Sequence, residues 1–332
     1  MITVGSAAAN KGEKGQGFID VGGLAVHAEI RIPVLIVNGR ESGPTLWLNG
    51  AVHGDELNGF LAMRRVAAAT DPRTLKGALI CTPLANPLAT QWRDKVSPYD
   101  HLDLDMQFPG DPAGLMSQRV ADRLFREIKV KAQFLINFHT VGTPFSAISY
   151  ALYKRVPGVK EDIFAATEGM ARAFGLKYHC RVDLASARGE LPGNQAGALD
   201  VNCQLQGIPA FMAEVGCGGR FEEEKIAAAE RGIRNVMKHL GMIAGEPERP
   251  EKQIVITRRK FIYANQAGFL IPEVGPGAIL SPGQRIGRIV DFFSDVETVE
   301  AQEEVFIIHV RVHPTVHTGD RLAFLGLEWE PF

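Results

Sequence analysis

Three short apolar runs, each handing over to a polar residue, set the strongest limit on how this chain can fold. Residues 44–48 lead through Asn49, Gly50, Ala51 and Val52 to His53, residues 134–138 lead straight to His139, and residues 208–213 lead to Glu214. Such short runs, with β-branched and aromatic members, fit strands buried on both faces. A further strand is expected at residues 24–36, turned by residues 38–43 into 44–48, and another at 78–83. Helical spacing follows Gly54 (Leu57, Phe60, Leu61, Val66) and recurs over residues 117–130, 160–174 and 222–241. Strands alternating with helices predict an α/β domain with a largely parallel sheet, and such sheets gather ligands at the carboxyl ends of their strands. His53, His139 and Glu214 are all expected at that edge.

The pattern changes near residue 250. The stretch around Pro247 and Pro250 reads as a linker, and residues 251–332 carry short apolar runs and repeated glycine turns without a helix of useful length. A small all-β sandwich or barrel domain is expected there. Residues 277–287 and 316–326 share a spacing echo around Gly283 and Gly319, an expected internal half-repeat. Residues 1–20, rich in Gly, Ala and Lys, are expected to be a flexible extension, which leaves 21–246 for the α/β domain.

Bulk properties narrow the partners. With 332 residues, 45% hydrophobic and 22% charged, the chain can bury a large core and still carry an appendage. A formal charge of −2 and the lack of a basic stripe argue against nucleic acid as a partner. Residues 1–17 lack the apolar core of a signal peptide, and no run reaches the roughly 20 apolar residues of a membrane span. A cytoplasmic protein acting on a small molecule is expected, with no membrane partner; its oligomeric state is open, a homo-oligomer included. Cys81, Cys180, Cys203 and Cys217 are far apart and predicted to be reduced and mostly buried.

His53 and Glu56 are three residues apart, so a helix start or tight turn projects both to one side, as two ligands of one Zn²⁺ require. Spacing alone decides little: with 38 acidic residues and nine histidines, about one such pair arises by chance. Taken singly, each residue also reads as a solvated helix start or a structural strand-end side chain. Context adds weight, because His139 at a second strand end completes a set of three ligands with an open fourth position, the arrangement of a catalytic zinc. Gly50 and Gly54 are expected to allow close backbone approach to the ion. Such a site also needs a base that takes a proton from water and passes it to the leaving group. Glu214 is the candidate, followed by a glycine-rich loop expected to pack closely against something.

Several ordered motifs carry a resemblance to a known family: Asn49-Gly50-Ala51-Val52-His53-Gly54-Asp55-Glu56 with Gly59, Asn86-Pro87-Leu88-Ala89, Asp103-Leu104 with Phe108-Pro109-Gly110, Phe138-His139-Thr140, and Gly207-Ile208-Pro209 with Glu214 and Gly216. From about residue 30 to residue 325 the chain resembles the succinylglutamate desuccinylase/aspartoacylase family of zinc amidohydrolases, relatives of the zinc carboxypeptidases. The resemblance implies a zinc-carboxypeptidase-like mixed sheet flanked by helices, with one zinc per chain on His53, Glu56 and His139 and with Glu214 as the acid/base. It further implies a C-terminal β domain, similar to a biotinyl/lipoyl sandwich, that shapes the substrate entrance. That domain lacks a Met-Lys-Met tip, so a carrier role is not expected.

The departures bear on the substrate. Where the family reads Asp-Leu-Asn-Arg, this chain reads Asp103-Leu104-Asp105-Met106, so the arginine suited to clamp a carboxylate is absent. A second family arginine falls on Lys95, with Arg93 two positions away; either can stabilise an oxyanion as a positive charge, and both also read as ordinary loop charges. Asn86, Asp105 and Met106 are the candidate substrate contacts, and Asp105 is expected to select a neutral or cationic amine portion, as in an N-acylated diamine. The expected activity is zinc-dependent hydrolysis of the amide bond of a small N-acylated amine or amino acid. A zinc carboxypeptidase or esterase and a non-catalytic zinc-binding homologue remain as alternatives.

Overall fold

The computed structural model describes residues 1–186, 190–191 and 195–332. A hairpin of β1 (Ile2–Val4) and β2 (Ala7–Ala9) leads into β3 (Glu13–Gly23), β4 (Glu29–Asn38) and β5 (Glu41–Gly50). Then come α1 (Asn58–Ala69), β6 (Lys76–Thr82), α2 (Pro87–Trp92), α3 (Met116–Lys131) and β7 (Phe134–Val141). They are followed by β8 (Phe145–Ala147), β9 (Tyr150–Arg155), α4 (Glu161–Phe174), β10 (Tyr178–Asp183), α5 (Leu199–Leu205), β11 (Ala210–Cys217) and α6 (Glu223–His239). The rest is β structure: β12 (Ile254–Tyr263), β13 (Gly268–Pro272), β14 (Ile279–Leu280), β15 (Arg285–Val290), β16 (Asp295–Glu300), β17 (Val305–Arg311), β18 (Thr315–Val316) and β19 (Arg321–Pro331).

One long mixed sheet runs in the order β14-β17-β19-β12-β10-β9-β11-β7-β5-β6-β4-β3. At its centre β6, β5, β7 and β11 are parallel neighbours. β9 enters antiparallel to β11, then pairs in parallel with β10, which pairs in parallel with β12. Strand alternation splits the central residues between two cores. Leu46, Leu48, Ile136, Phe138, Phe211 and Ala213 pack under α1, α4 and α6, whereas Trp47, Leu135 and Ala210 pack with Val120, Leu124 and Ile128 of α3 and Leu199 of α5. The helices are polarised as their dipoles favour: α4 and α6 begin with Glu161, Asp162, Glu223 and Glu224, and α6 ends with Lys238 and His239.

Two organisational expectations need correction. Residues 1–20 are not a flexible extension: β3 pairs along its length with β4, and Val4, Ala7, Ala9 and Ile19 are buried in the α3-side core. Glycines hide this in the sequence while serving it in the fold, since a Cβ on Gly15 or Gly17 would collide with the backbone of Ala8 or Ala7 at 2.0 and 2.5 Å. Nor does residue 250 mark an end of the main sheet, because β12 hydrogen-bonds to β10 and carries β19 and β17 with it. The C-terminal segment does form two packed layers. Those three strands cover the four-stranded sheet β16-β15-β13-β18, with Ile289, Val299, Ile307, Val310 and Leu325 among the side chains between. Its half-repeat is structural: β14–β15 and β18–β19 are each a two-residue strand and a turn with glycine at positive φ (Gly283, 82°; Gly319, 87°) before a longer strand. All four cysteines are buried and unpaired, and among the described residues no helix is long and apolar enough to cross a membrane.

Candidate active site

Adjacent parallel strands bring the expected residues together. β5 ends at Gly50, and the chain turns through Ala51, held at a left-handed φ of 51°, to present His53 and Glu56. The turn is fastened from behind by Asn86, which donates from Nδ2 to Val52 O at 3.1 Å and accepts from Ala89 N–H at 3.1 Å. β7 delivers His139, and β11 delivers Glu214 directly beside it in register. On its other side Glu214 is paired with Tyr150 of β9.

His53, Glu56 and His139 are buried, and their ligand-type atoms all lie within 4.8 Å of one another. His53 Nδ1 is 2.8 Å from Glu56 Oε1, and His139 Nδ1 is 3.0 Å from Glu56 Oε2, which also accepts from the Thr140 N–H at 3.0 Å. Burial disfavours charge on His53, yet the Glu56 and Asp103 carboxylates outweigh it and raise its pKa to about 10. Burial likewise resists ionisation of Glu56, but the two imidazoles hold its carboxyl below the usual range. Two imidazole nitrogens converging on one carboxylate attract protons, and a divalent cation bound there would take the place of those protons. The donor set, two nitrogens and a carboxylate, is one that Zn²⁺ accepts.

The outer partners orient the same rings. The His53 Nε2–H donates to Asp103 Oδ1 at 3.0 Å, leaving Nδ1 to face the cluster, and Lys95 Nζ donates to Asp103 Oδ2 at 2.7 Å. Behind His139 runs a buried polar chain: Trp47 Nε1–H to Thr82 Oγ1, Thr82 O–H to Asn49 Oδ1, Asn49 Nδ2 to Asn137 Oδ1, and Asn137 Nδ2 beside His139 Nε2 at 2.9 Å. Asn49 and Asn137 are register partners on β5 and β7. Asp103 and Asn137 are positions that spacing arguments passed over; the signal for Asn137 was a lone polar residue, two before His139, inside an apolar strand.

A cavity of about 430 Å³ opens over the cluster. Glu214 lines it, and its Oε2 is shut off from solvent without a hydrogen-bond partner among the described residues. Burial pushes the Glu214 carboxyl up to about 7, with the His139 imidazole pulling the other way. Asp55 Oδ1 and Thr140 Oγ1 are similarly unpartnered on the wall. The loop after Glu214 packs against the His53–Glu56 turn, its Gly219 N–H donating to Asp55 O at 2.8 Å.

The remaining candidates divide. Lys95, Asp105 and Met106 line the cavity; Arg93 is exposed outside it, and Asn86 stands behind the His53 turn, away from the wall. Asp105 is buried. Its Oδ1 accepts from Asn137 Nδ2 at 3.2 Å and the Leu199 N–H at 3.4 Å and lies 3.9 Å from His139 Nε2. Gly50 and Gly54 serve packing and not an ion, since a Cβ there would meet Met63 Cε at 2.4 Å or Ala89 C at 2.0 Å. The C-terminal strands shape the cavity as the resemblance implied, but spacing named none of the residues involved: Phe145, Phe261, His309, Arg321 and Phe324 reach the cavity from β8, β12, β17 and β19.

Residues 42–240 match the model of the succinylglutamate desuccinylase/aspartoacylase catalytic domain. The chain is 30% identical over 304 residues to an N-alpha-acetyl-L-2,4-diaminobutyric acid deacetylase of Halomonas elongata, covering 90% of this chain and 86% of that one. Among solved structures, the product-bound ectoine utilization protein EutE (DoeB) of Ruegeria pomeroyi superposes with a TM-score of 0.85 at 25% identity, covering 97% of this chain and 98% of that one. A succinylglutamate desuccinylase/aspartoacylase from Rhodobacter sphaeroides gives 0.83 at 25% identity, over 96% and 95%.

Proposed function

The chain belongs to the succinylglutamate desuccinylase/aspartoacylase family, and on that premise we propose that it is a zinc-dependent deacylase cleaving the amide bond of a small N-acylated diamine. The observation that carries the reading is Glu214: a carboxyl with an unpartnered oxygen, in register with His139 on the wall of the cavity that also holds His53 and Glu56. His53, Glu56 and His139 are the ligands, with Asp103 accepting from the His53 Nε2–H and so orienting that imidazole. Zn²⁺ bound there supplies Lewis acidity, making a water nucleophilic near neutral pH and polarising the acyl oxygen.

Glu214 takes the proton of the attacking water and returns it to the departing nitrogen, a two-way task suited to a carboxyl raised to about 7. Lys95, in the place of a family arginine, brings positive charge to the cavity edge while fixing Asp103. Asp55, Asp94 and Asp105 give the wall an acidic character, which favours an amine portion bearing a positive charge. The Halomonas relative, by its name, acts on an acylated diamino acid, in keeping with this choice.

Metal analysis of the purified protein, together with Glu214→Ala assayed on N-acyl diamines, N-acyl amino acids, peptides and esters, tests the reading. Zinc near one per chain with Glu214-dependent turnover of the acyl diamine supports it. Turnover of peptides or esters alone points to the carboxypeptidase or esterase alternative, and zinc without any turnover to a non-catalytic homologue. A preference for acidic N-acyl amino acids that survives Asp105→Asn would sink the role given to Asp105.

A further inference from the structure

The far wall of the cavity holds a second polar pole that the hydrolytic residues do not use. His309, on β17, is 5% exposed, and its Nδ1 has no hydrogen-bond partner among the described residues. Its ring lies among Phe145, Phe324 and Phe261, with centroid distances of 4.5, 5.4 and 5.9 Å. Arg321, at the start of β19, has its guanidinium carbon 4.6 Å from the centroid of the same Phe261 ring. Stacking on an aromatic face holds a guanidinium plane in place and leaves its N–H edge for a ligand.

Among the described residues the cavity wall carries three side chains with permanent positive charge, Lys95, Lys154 and Arg321. Lys95 is taken up by Asp103, and Lys154 by Asp200 at 2.7 Å. Arg321 alone among them forms no ion pair with a described residue. In the tautomer that carries its proton, the unpartnered imidazole Nδ1, on the same wall as an uncompensated guanidinium, suits an acceptor with two oxygens. Burial, reinforced by the Arg321 charge, lowers the His309 pKa to about 3, so the ring serves as a neutral hydrogen-bonding group.

We propose that Arg321 and His309 form a carboxylate-binding subsite, so that the acid group of the substrate is held by the C-terminal strands and not by the loop at Met106. The inference rests on the deacylase reading and deepens it: the substrate class becomes an N-acylated diamino acid, its cationic amine matched by the acidic wall and its carboxylate by Arg321. Absence of an arginine at position 106 then marks a relocation of the carboxylate anchor, not its loss.

The test compares Nα-acetyl-L-2,4-diaminobutyrate with its carboxamide in the wild-type protein and in Arg321→Met, Arg321→Lys and His309→Phe. The wild type is expected to favour the acid by about ten- to a hundredfold in kcat/KM, the range for one hydrogen-bonded charge. Arg321→Met, which keeps apolar contact with Phe261, should raise KM for the acid by a similar factor with kcat little changed, and erase the preference over the carboxamide. Arg321→Lys should restore part of it, and His309→Phe should show a smaller loss of the same kind. Equal use of acid and carboxamide by the wild type, or equal impairment of both by Arg321→Met, overturns the proposal. If neither compound is turned over, the deacylase reading fails separately, and calorimetric titration of the two into zinc-loaded protein decides the subsite. Acid binding that is lost in Arg321→Met supports it; equal binding of acid and carboxamide overturns it.

Discussion

Glu214 and His139 occupy paired positions on the parallel strands β11 and β7, so the proposed acid/base and the proposed third metal ligand are set in one register. A one-residue slip of either strand would turn its side chain to the opposite face of the sheet. The flanking pairs Ala213 with Phe138 and Phe211 with Ile136 guard against such a slip, because their burial under α1, α4 and α6 would be lost with it.

Glu214→Gln keeps the shape and removes the base. Turnover is expected to fall by about 10² to 10⁴, the usual contribution of a positioned acid/base, while zinc content stays near that of the wild type. Steady-state kinetics paired with metal analysis checks this. Zinc lost in parallel with activity would make Glu214 a ligand instead.

Asp103 is expected to act through His53. Asp103→Asn removes the carboxylate that holds the Nε2–H and also frees Lys95, and zinc affinity should weaken by about 10- to 100-fold. Competition with a chromophoric chelator measures the change. An unaltered affinity would show that packing alone orients the ring.

How much of this was legible in the sequence follows from what each residue answers to. The strands that lead to His53 and bear His139 and Glu214 could be read because burial on both faces imposes a continuous apolar run, which ends where the sheet edge meets the cavity. The N-terminal strands could not, because β3 interleaves Gly15, Gly17 and Gly22 with polar residues, a pattern indistinguishable from a loose tail until the neighbouring backbone is seen to need the glycines. β9 and β10 were missed for another reason: Lys154 and Arg155 in one and His179, Arg181 and Asp183 in the other break the continuous apolar run that marks a strand buried on both faces. Arg321 and His309 carry no local signal either. They reach the cavity only because β12 joins β10 and brings β19 and β17 to its far wall, a fact of sheet order.

His309 gives a pH dependence of stability. Its folded pKa of about 3 lies below the unfolded value near 6.5, so between those limits the unfolded chain binds a proton that the folded chain refuses. Stability therefore falls as pH drops through that window, by about 1.4 kcal/mol per pH unit. His179, lowered by burial to about 4, acts in the same sense, and Glu214, raised to about 7, in the opposite one. The useful quantity is the difference in slope between the wild type and His309→Phe, taken from urea unfolding of metal-free protein between pH 6.5 and 5. The wild type should be steeper by about one proton; equal slopes would mean that water reaches His309.

Lys154 and Asp200 form an ion pair whose side chains are 1% and 0% exposed, with Nζ 2.7 Å from Oδ1. Removing the charge from one partner strands the other, and Asp200→Asn is expected to cost about 3 to 5 kcal/mol in urea unfolding because an ammonium is left buried without a counter-charge. Lys154→Met should cost a similar amount by stranding the carboxylate, whose Oδ2 already lacks a hydrogen-bond partner among the described residues. The double variant is expected to be less destabilised than the sum of the two, since neither charge then remains; strict additivity would mean the pair is not coupled. The consequence extends to the site. Asp105 is buried near this pair, with burial raising its pKa and Lys154 lowering it, so Lys154→Met should bias Asp105 towards its neutral form. Preference for a cationic amine portion should then weaken in Lys154→Met, as it should in Asp105→Asn, whereas in Asp200→Asn, where the ammonium remains, it should persist.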